Sequence, residues 1–95
     1  IGSAALRARR RYRRMTRLPR DLSGEALVRA LSRLGYAPTR QTGSHMRLTT
    51  QEGGEHHVTV PRHDPLRVGT LGGILAEVAA HFETSREDII ERLFG

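Results

Sequence analysis

The sequence predicts an α+β domain of two layers, with helices gathered on one side of a small antiparallel sheet. Three observations lead there. Apolar residues recur at helical spacing on both sides of the chain's middle, over residues 22–34 and again over 71–82. Between them, residues 36–60 alternate apolar and polar with period two. That alternating stretch is cut twice by turn-forming compositions, Thr42-Gly43-Ser44 and Gln51-Glu52-Gly53-Gly54, which divide it into three strands.

The first helix is predicted from Ser23 to Leu34. Ser23 supplies an N-cap, Gly35 a terminating position, and Leu22, Ala26, Leu27, Ala30, Leu31 and Leu34 form one apolar stripe. Glu25, Arg29 and Arg33 fall on the opposite, solvated face. The strands follow at about 36–41, 45–50 and 56–60. In the second, Met46 and Leu48 share one face, while His45, Arg47 and Thr49 share the other. In the third, Val58 and Val60 alternate with His57 and Thr59, so one face of the sheet is apolar and the other polar and cationic. Pro61 cannot donate to a ladder and ends the last strand. A second helix is predicted with Thr70 as N-cap, its stripe running Leu71, Ile74, Leu75, Val78, Ala79 and Phe82. Thr84 followed by Glu87 reads as a capping box for a short last helix that carries Ile89, Ile90, Leu93 and Phe94. The order α-β-β-β-α, with a short C-terminal helix added, is that of the double-stranded-RNA-binding fold.

Ninety-five residues suffice for one core and not two. The absence of cysteine excludes disulfides and Cys-based zinc or redox sites. The longest mostly apolar stretch, Val68 to Ala80, is Gly-rich, interrupted by Glu77, and far short of the roughly 18 residues a membrane span requires. Ala4, Ala5 and Leu6 run straight into arginines, so no secretory signal is expected and a cytoplasmic location is. The formal charge of +6 is unevenly placed. Residues 1–20 hold eight arginines and no acid, whereas residues 21–95 hold eight arginines against ten acids, a net of −2. Residues 1–14 therefore read as a mobile Arg-rich arm, or as sequence upstream of a natural start at Met15, and residues 15–95 as the folded domain. Such an arm could grip RNA through its phosphates without sequence preference.

Without cysteine, the reactive side chains are the five histidines, helped by carboxylates. His81 ends the second helix, where the helix dipole favours a cation, and reads as structural. His56 and His57 are neighbours on a strand and face opposite sides, His56 sharing the parity of the apolar valines. His45 differs, because it begins a strand directly after Gly43-Ser44, with Arg40 across the turn and Arg47 two residues on. An imidazole suits removal of a proton from a ribose 2′-hydroxyl, and guanidinium suits a phosphate gaining charge. That is the minimal equipment of a metal-independent ribonuclease, and it is equally the composition of an ordinary polar turn. A zinc site built from His45, His57 and His63 is the other chemical reading, although their spacing matches no regular zinc pattern.

Three segments carry a resemblance. Arg40-Gln41-Thr42-Gly43-Ser44-His45, then Val58-Thr59-Val60-Pro61-Arg62-His63, then Gly69-Thr70-Leu71 with Ile74-Leu75, resemble the HicA (YcfA-like) family of toxin mRNA interferases. Leu22-Ser23-Gly24 through Leu34-Gly35-Tyr36 also fits that family's first helix, and the likeness covers about residues 15–82. It implies an endoribonuclease that cleaves mRNA by attack of the 2′-hydroxyl, needs no cofactor or metal, inhibits translation, and is neutralised by a HicB-type antitoxin. The resemblance makes His45 the catalytic residue, and Arg40, Gly43, Ser44, Arg47 and His63, from their places around it in the sequence, are the residues expected to meet RNA. Neither a membrane nor direct DNA binding is expected. The family often has a second histidine directly after the first, where this chain has Met46, and the arginine arm has no counterpart in it. A non-catalytic RNA-binding module of the same fold is the alternative, and the near-neutral balance of residues 21–95 argues against a simple RNA clamp.

Overall fold

A computed structural model describes residues 18–95. The arginine-rich arm expected over residues 1–14 lies outside the described residues. Helix α1 (Gly24–Leu31) continues into a 3-10 turn (Ser32–Leu34), followed by strands β1 (Ala37–Thr42), β2 (His45–Thr50) and β3 (His56–Pro61), then helices α2 (Val68–His81) and α3 (Arg86–Phe94). The strands form one antiparallel meander in the order β1-β2-β3, so β1 and β3 are both edges. The order α-β-β-β-α with a C-terminal helix is the predicted one.

Helices and sheet meet along the stripes their periodicity defines. Leu27, Leu31 and Leu34 from the first helical stretch, Met46, Leu48, Val58 and Val60 from the sheet, and Leu71, Ile74, Leu75, Val78 and Ala79 from α2 form one buried cluster. Ile89, Ile90 and Leu93 of α3 close it. Each fully buried aliphatic side chain contributes roughly 1.5–3 kcal/mol relative to exposure. No helix among the described residues is long and apolar enough to cross a membrane.

Ser23 caps α1 as its position predicts, its Oγ accepting from the Ala26 amide at 3.1 Å. Gly24 follows and is buried, because its amide donates to the His63 carbonyl at 2.8 Å and the Pro61 carbonyl lies where a β-carbon would be. Only hydrogen fits there. Two predicted caps move. Helix α2 begins at Val68 with Arg67 as N-cap, and Thr70 falls within its first turn. Leu66 is buried and its amide donates to the Leu22 carbonyl at 2.8 Å, so the chain is anchored and free to turn before it reaches Thr70. Helix α3 is capped by Ser85, whose Oγ accepts from the Asp88 amide at 3.0 Å, one residue after the expected Thr84. The Thr84 amide is engaged in closing α2, donating to the Ala79 carbonyl at 3.0 Å, and its hydroxyl donates to Asp88 Oδ2 at 2.9 Å.

Candidate active site

The face of the sheet turned away from the helices is built by alternation. Along β2, His45, Arg47 and Thr49 project to it, while Met46, Leu48 and Thr50 are buried. The ladder sets their partners: His45 lies opposite Thr42 of β1 and Pro61 of β3, and Arg47 opposite Arg40 of β1 and Thr59 of β3. Residues directly opposite in an antiparallel pair share a face and stand close together. Arg40, Thr42, His45, Arg47 and Thr59 accordingly line one open hollow of about 330 Å³.

Gly43, with φ of +57°, makes the tight connection between β1 and β2, and the space beside it is open. It is the backbone conformation, and not crowding, that favours glycine here. Ser44 fastens that connection to the residue just after β3 through its carbonyl, which accepts from the Arg62 amide at 2.6 Å. The turn that presents His45 is thus held from both neighbouring strands.

Among the described residues, neither Arg40 nor Arg47 has an acidic partner. The ion pairs are elsewhere, from Arg62 to Glu25 at 3.2 Å and Arg92 to Asp88 at 2.9 Å, and the Glu55 carboxylate instead accepts a hydrogen bond from His57 Nε2 at 2.9 Å. Two guanidinium groups and an imidazole therefore share an open hollow with no counter-charge of their own among the described residues. Such a place attracts an anion, and the planar donor fork of arginine fits a phosphate.

His63 stands apart. It lines a separate hollow of about 190 Å³ with Ser23, Glu25, Arg29, Arg62 and Asp64, at the start of α1. The chain turns after Pro61, and the His63 carbonyl is taken up by the Gly24 amide, so parity with β3 no longer governs where His63 goes. The three histidines of the zinc reading are likewise apart: among the described residues no group of three His, Asp or Glu side chains is placed to hold a metal ion. Thr42 and Thr59 line the hollow without having been singled out from the sequence. The parity of Thr59 with His57 is its signal in the sequence, whereas Thr42 reads there as part of the Thr42-Gly43-Ser44 turn.

A second polar cluster lies at the other end of the meander. The Tyr36 hydroxyl meets His56 Nδ1 at 2.7 Å, His56 stacks on His81 with ring centroids 4.4 Å apart, and His81 Nε2 donates to the Glu52 carbonyl at 2.8 Å. Burial pushes the Tyr36 hydroxyl up to about 12, with Glu77 adding to the effect. Burial also lowers the His56 imidazole, as does the neighbouring His81. The neutral His56 ring then accepts from the Tyr36 O–H, and the cluster joins the β2–β3 connection to the end of α2. His81, whose sequence position suggested a structural part, is one of its members.

The fold and this hollow define a small α+β protein that presents a histidine beside a facing pair of arginines on an open sheet face. The family model of the HicA toxin of bacterial toxin-antitoxin systems matches residues 24–79, which span α1, the whole meander and most of α2. The chain belongs to the HicA toxin family and is a toxin of a toxin-antitoxin system. No curated protein and no solved structure matches it.

Proposed function

We propose that the protein is an endoribonuclease, an mRNA interferase that acts in the cytoplasm and inhibits translation by cutting messages, with His45 as its catalytic base. The observation that carries this reading is the placement of His45 in one hollow with Arg40 and Arg47. His45 takes the proton of a ribose 2′-hydroxyl, the 2′-oxygen attacks the adjacent phosphorus, and the bond to the 5′-oxygen of the next nucleotide breaks, that oxygen taking a proton from water while the His45 imidazolium returns its own to solvent. The products are a 2′,3′-cyclic phosphate and a 5′-hydroxyl end. Arg40 and Arg47 hold the phosphate as its charge grows, and the Gly43-Ser44 turn fixes where the imidazole stands. A positioned general base contributes about 10²- to 10⁴-fold to such a step, and arginine donors aimed at the developing charge add to it.

The natural inhibitor is proposed to be a HicB-type antitoxin that covers this face. Acidic side chains opposite Arg40 and Arg47 would speed its association and compete with RNA phosphate for the same donors. The test is His45→Ala. A folded His45→Ala protein is expected to lose RNA cleavage and to stop arresting growth on induction, since an exposed side chain is removed and no core volume is lost. Cleavage at the original rate by that protein would overturn the assignment. Wild-type protein that bound RNA without cutting it would favour the non-catalytic module.

A further inference from the structure

The register of β1 against β2 slips once. Ala37 and Pro38 pair with Thr49 and Leu48, but the next pair is Arg40 with Arg47, so Thr39 is an extra residue on β1 with no partner of its own. Had the ladder continued residue by residue, Arg40 would oppose Met46 and point to the side that the helices cover. The bulge at Thr39 instead returns Arg40 to the face of Arg47 and His45.

A chain of side-chain bonds meets that bulge. Thr39 Oγ1 lies 3.3 Å from the Arg47 carbonyl, to which it donates, and 3.0 Å from Thr49 Oγ1. Thr49 Oγ1 is 2.7 Å from His57 Nδ1, and His57 Nε2 is 2.9 Å from Glu55 Oε2. The chain crosses all three strands on the polar face. The Arg47 carbonyl can only accept, so Thr39 donates to it and takes the hydrogen of Thr49, while the carboxylate of Glu55 accepts from His57 Nε2. The Thr39 hydroxyl then donates once and accepts once. None of this is needed to fill the core, because every residue of β1 is exposed. An exposed edge strand with Pro38 beside the bulge has weak register of its own and gains it from such cross-strand contacts.

We propose that Thr39, held through Thr49 and His57, is a positioning residue for the RNA site: it fixes the bulge that sets Arg40 opposite Arg47. The proposal rests on the ribonuclease reading for its effect on RNA, while its structural half stands without it. The experiment compares wild-type protein with Thr39→Val, Thr39→Ser, Arg40→Ala and the Thr39→Val/Arg40→Ala double variant. One readout is the dissociation constant for a 2′-O-methylated single-stranded RNA, which is not cut. The other is the set of cross-strand nuclear Overhauser contacts between β1 and β2. Thr39→Val should weaken binding by about 3- to 10-fold and blur the Arg40–Arg47 contacts, as loss of one hydrogen bond at a register point implies. Thr39→Ser, which keeps the hydroxyl, should restore both. In the Arg40→Ala background Thr39→Val should cost less than about 2-fold, because the two act through the same guanidinium.

Equal cost of Thr39→Val in both backgrounds would overturn the proposal, and so would an unchanged β1–β2 register in Thr39→Val. Should wild-type protein fail to bind RNA at all, the ribonuclease reading falls, and the register in Thr39→Val against Thr39→Ser decides the positioning claim alone.

Discussion

Arg40 and Arg47 are directly opposed on neighbouring strands, two like charges sharing a face with no acid between them among the described residues. Like charges at facing positions of a sheet destabilise it. Arg47→Ala should therefore leave the melting temperature unchanged or raise it by about 1–4 °C, while RNA cleavage falls by at least about tenfold. Thermal melts and initial cleavage rates on one preparation check both. A variant that lost stability and activity together would show that Arg47 holds the sheet and not the substrate.

Cleavage should persist in EDTA and yield fragments ending in 2′,3′-cyclic phosphate or its hydrolysed form. The reacting groups named are an imidazole and two guanidinium groups, none of which calls for a hard cation. Activity abolished by EDTA and restored by Mg²⁺, or fragments with 3′-hydroxyl ends, would contradict the mechanism.

His56 makes stability depend on pH. Burial and His81 lower its folded value below the ordinary 6.5, against a smaller opposing pull from Glu77, with His57 adding to the lowering and Tyr36 accepted as hydrogen-bond donor. A group depressed on folding contributes stability that is present above 6.5 and is lost as pH falls through the folded value. The melting temperature should decline as pH drops from 7 towards 5. His56→Gln should flatten that decline, which melts at stepped pH would detect.

Two glycines on helices should respond in opposite ways to alanine. Gly24→Ala places a β-carbon against the Pro61 carbonyl and should cost about 1–3 kcal/mol, although helix propensity alone favours the change. Gly73→Ala, exposed on α2 with nothing within 4 Å of the new carbon, should gain about 0.5–1 kcal/mol. Urea titration of both variants measures the contrast.

Much of this molecule could be read from residue order because its signals are local. The stripes of α1 and α2 and the alternation in β2 and β3 depend only on spacing, and they carried the layers, the core and the exposed face of His45. Where two residues competed for one task, spacing could not choose: Ser85 caps α3 while Thr84 is occupied in ending α2. The slip at Thr39 was hidden, since nothing in Ala37-Pro38-Thr39-Arg40 marks which residue drops out of the ladder. His63 was grouped with His45 through the resemblance carried by Val58-Thr59-Val60-Pro61-Arg62-His63, yet beyond Pro61 its position is set by α1, nearly forty residues earlier in the chain.

All three helices contribute to one core on one side of the meander, and the hollow around His45 is lined by strand residues alone. Nothing among the described residues is poised to swing across it as a lid. Among the described residues the hollow is therefore open in the folded protein, with no helix or loop of its own laid over it. An antitoxin partner, which membership of a toxin-antitoxin family implies, would meet this face already exposed and need move nothing among the described residues to reach it.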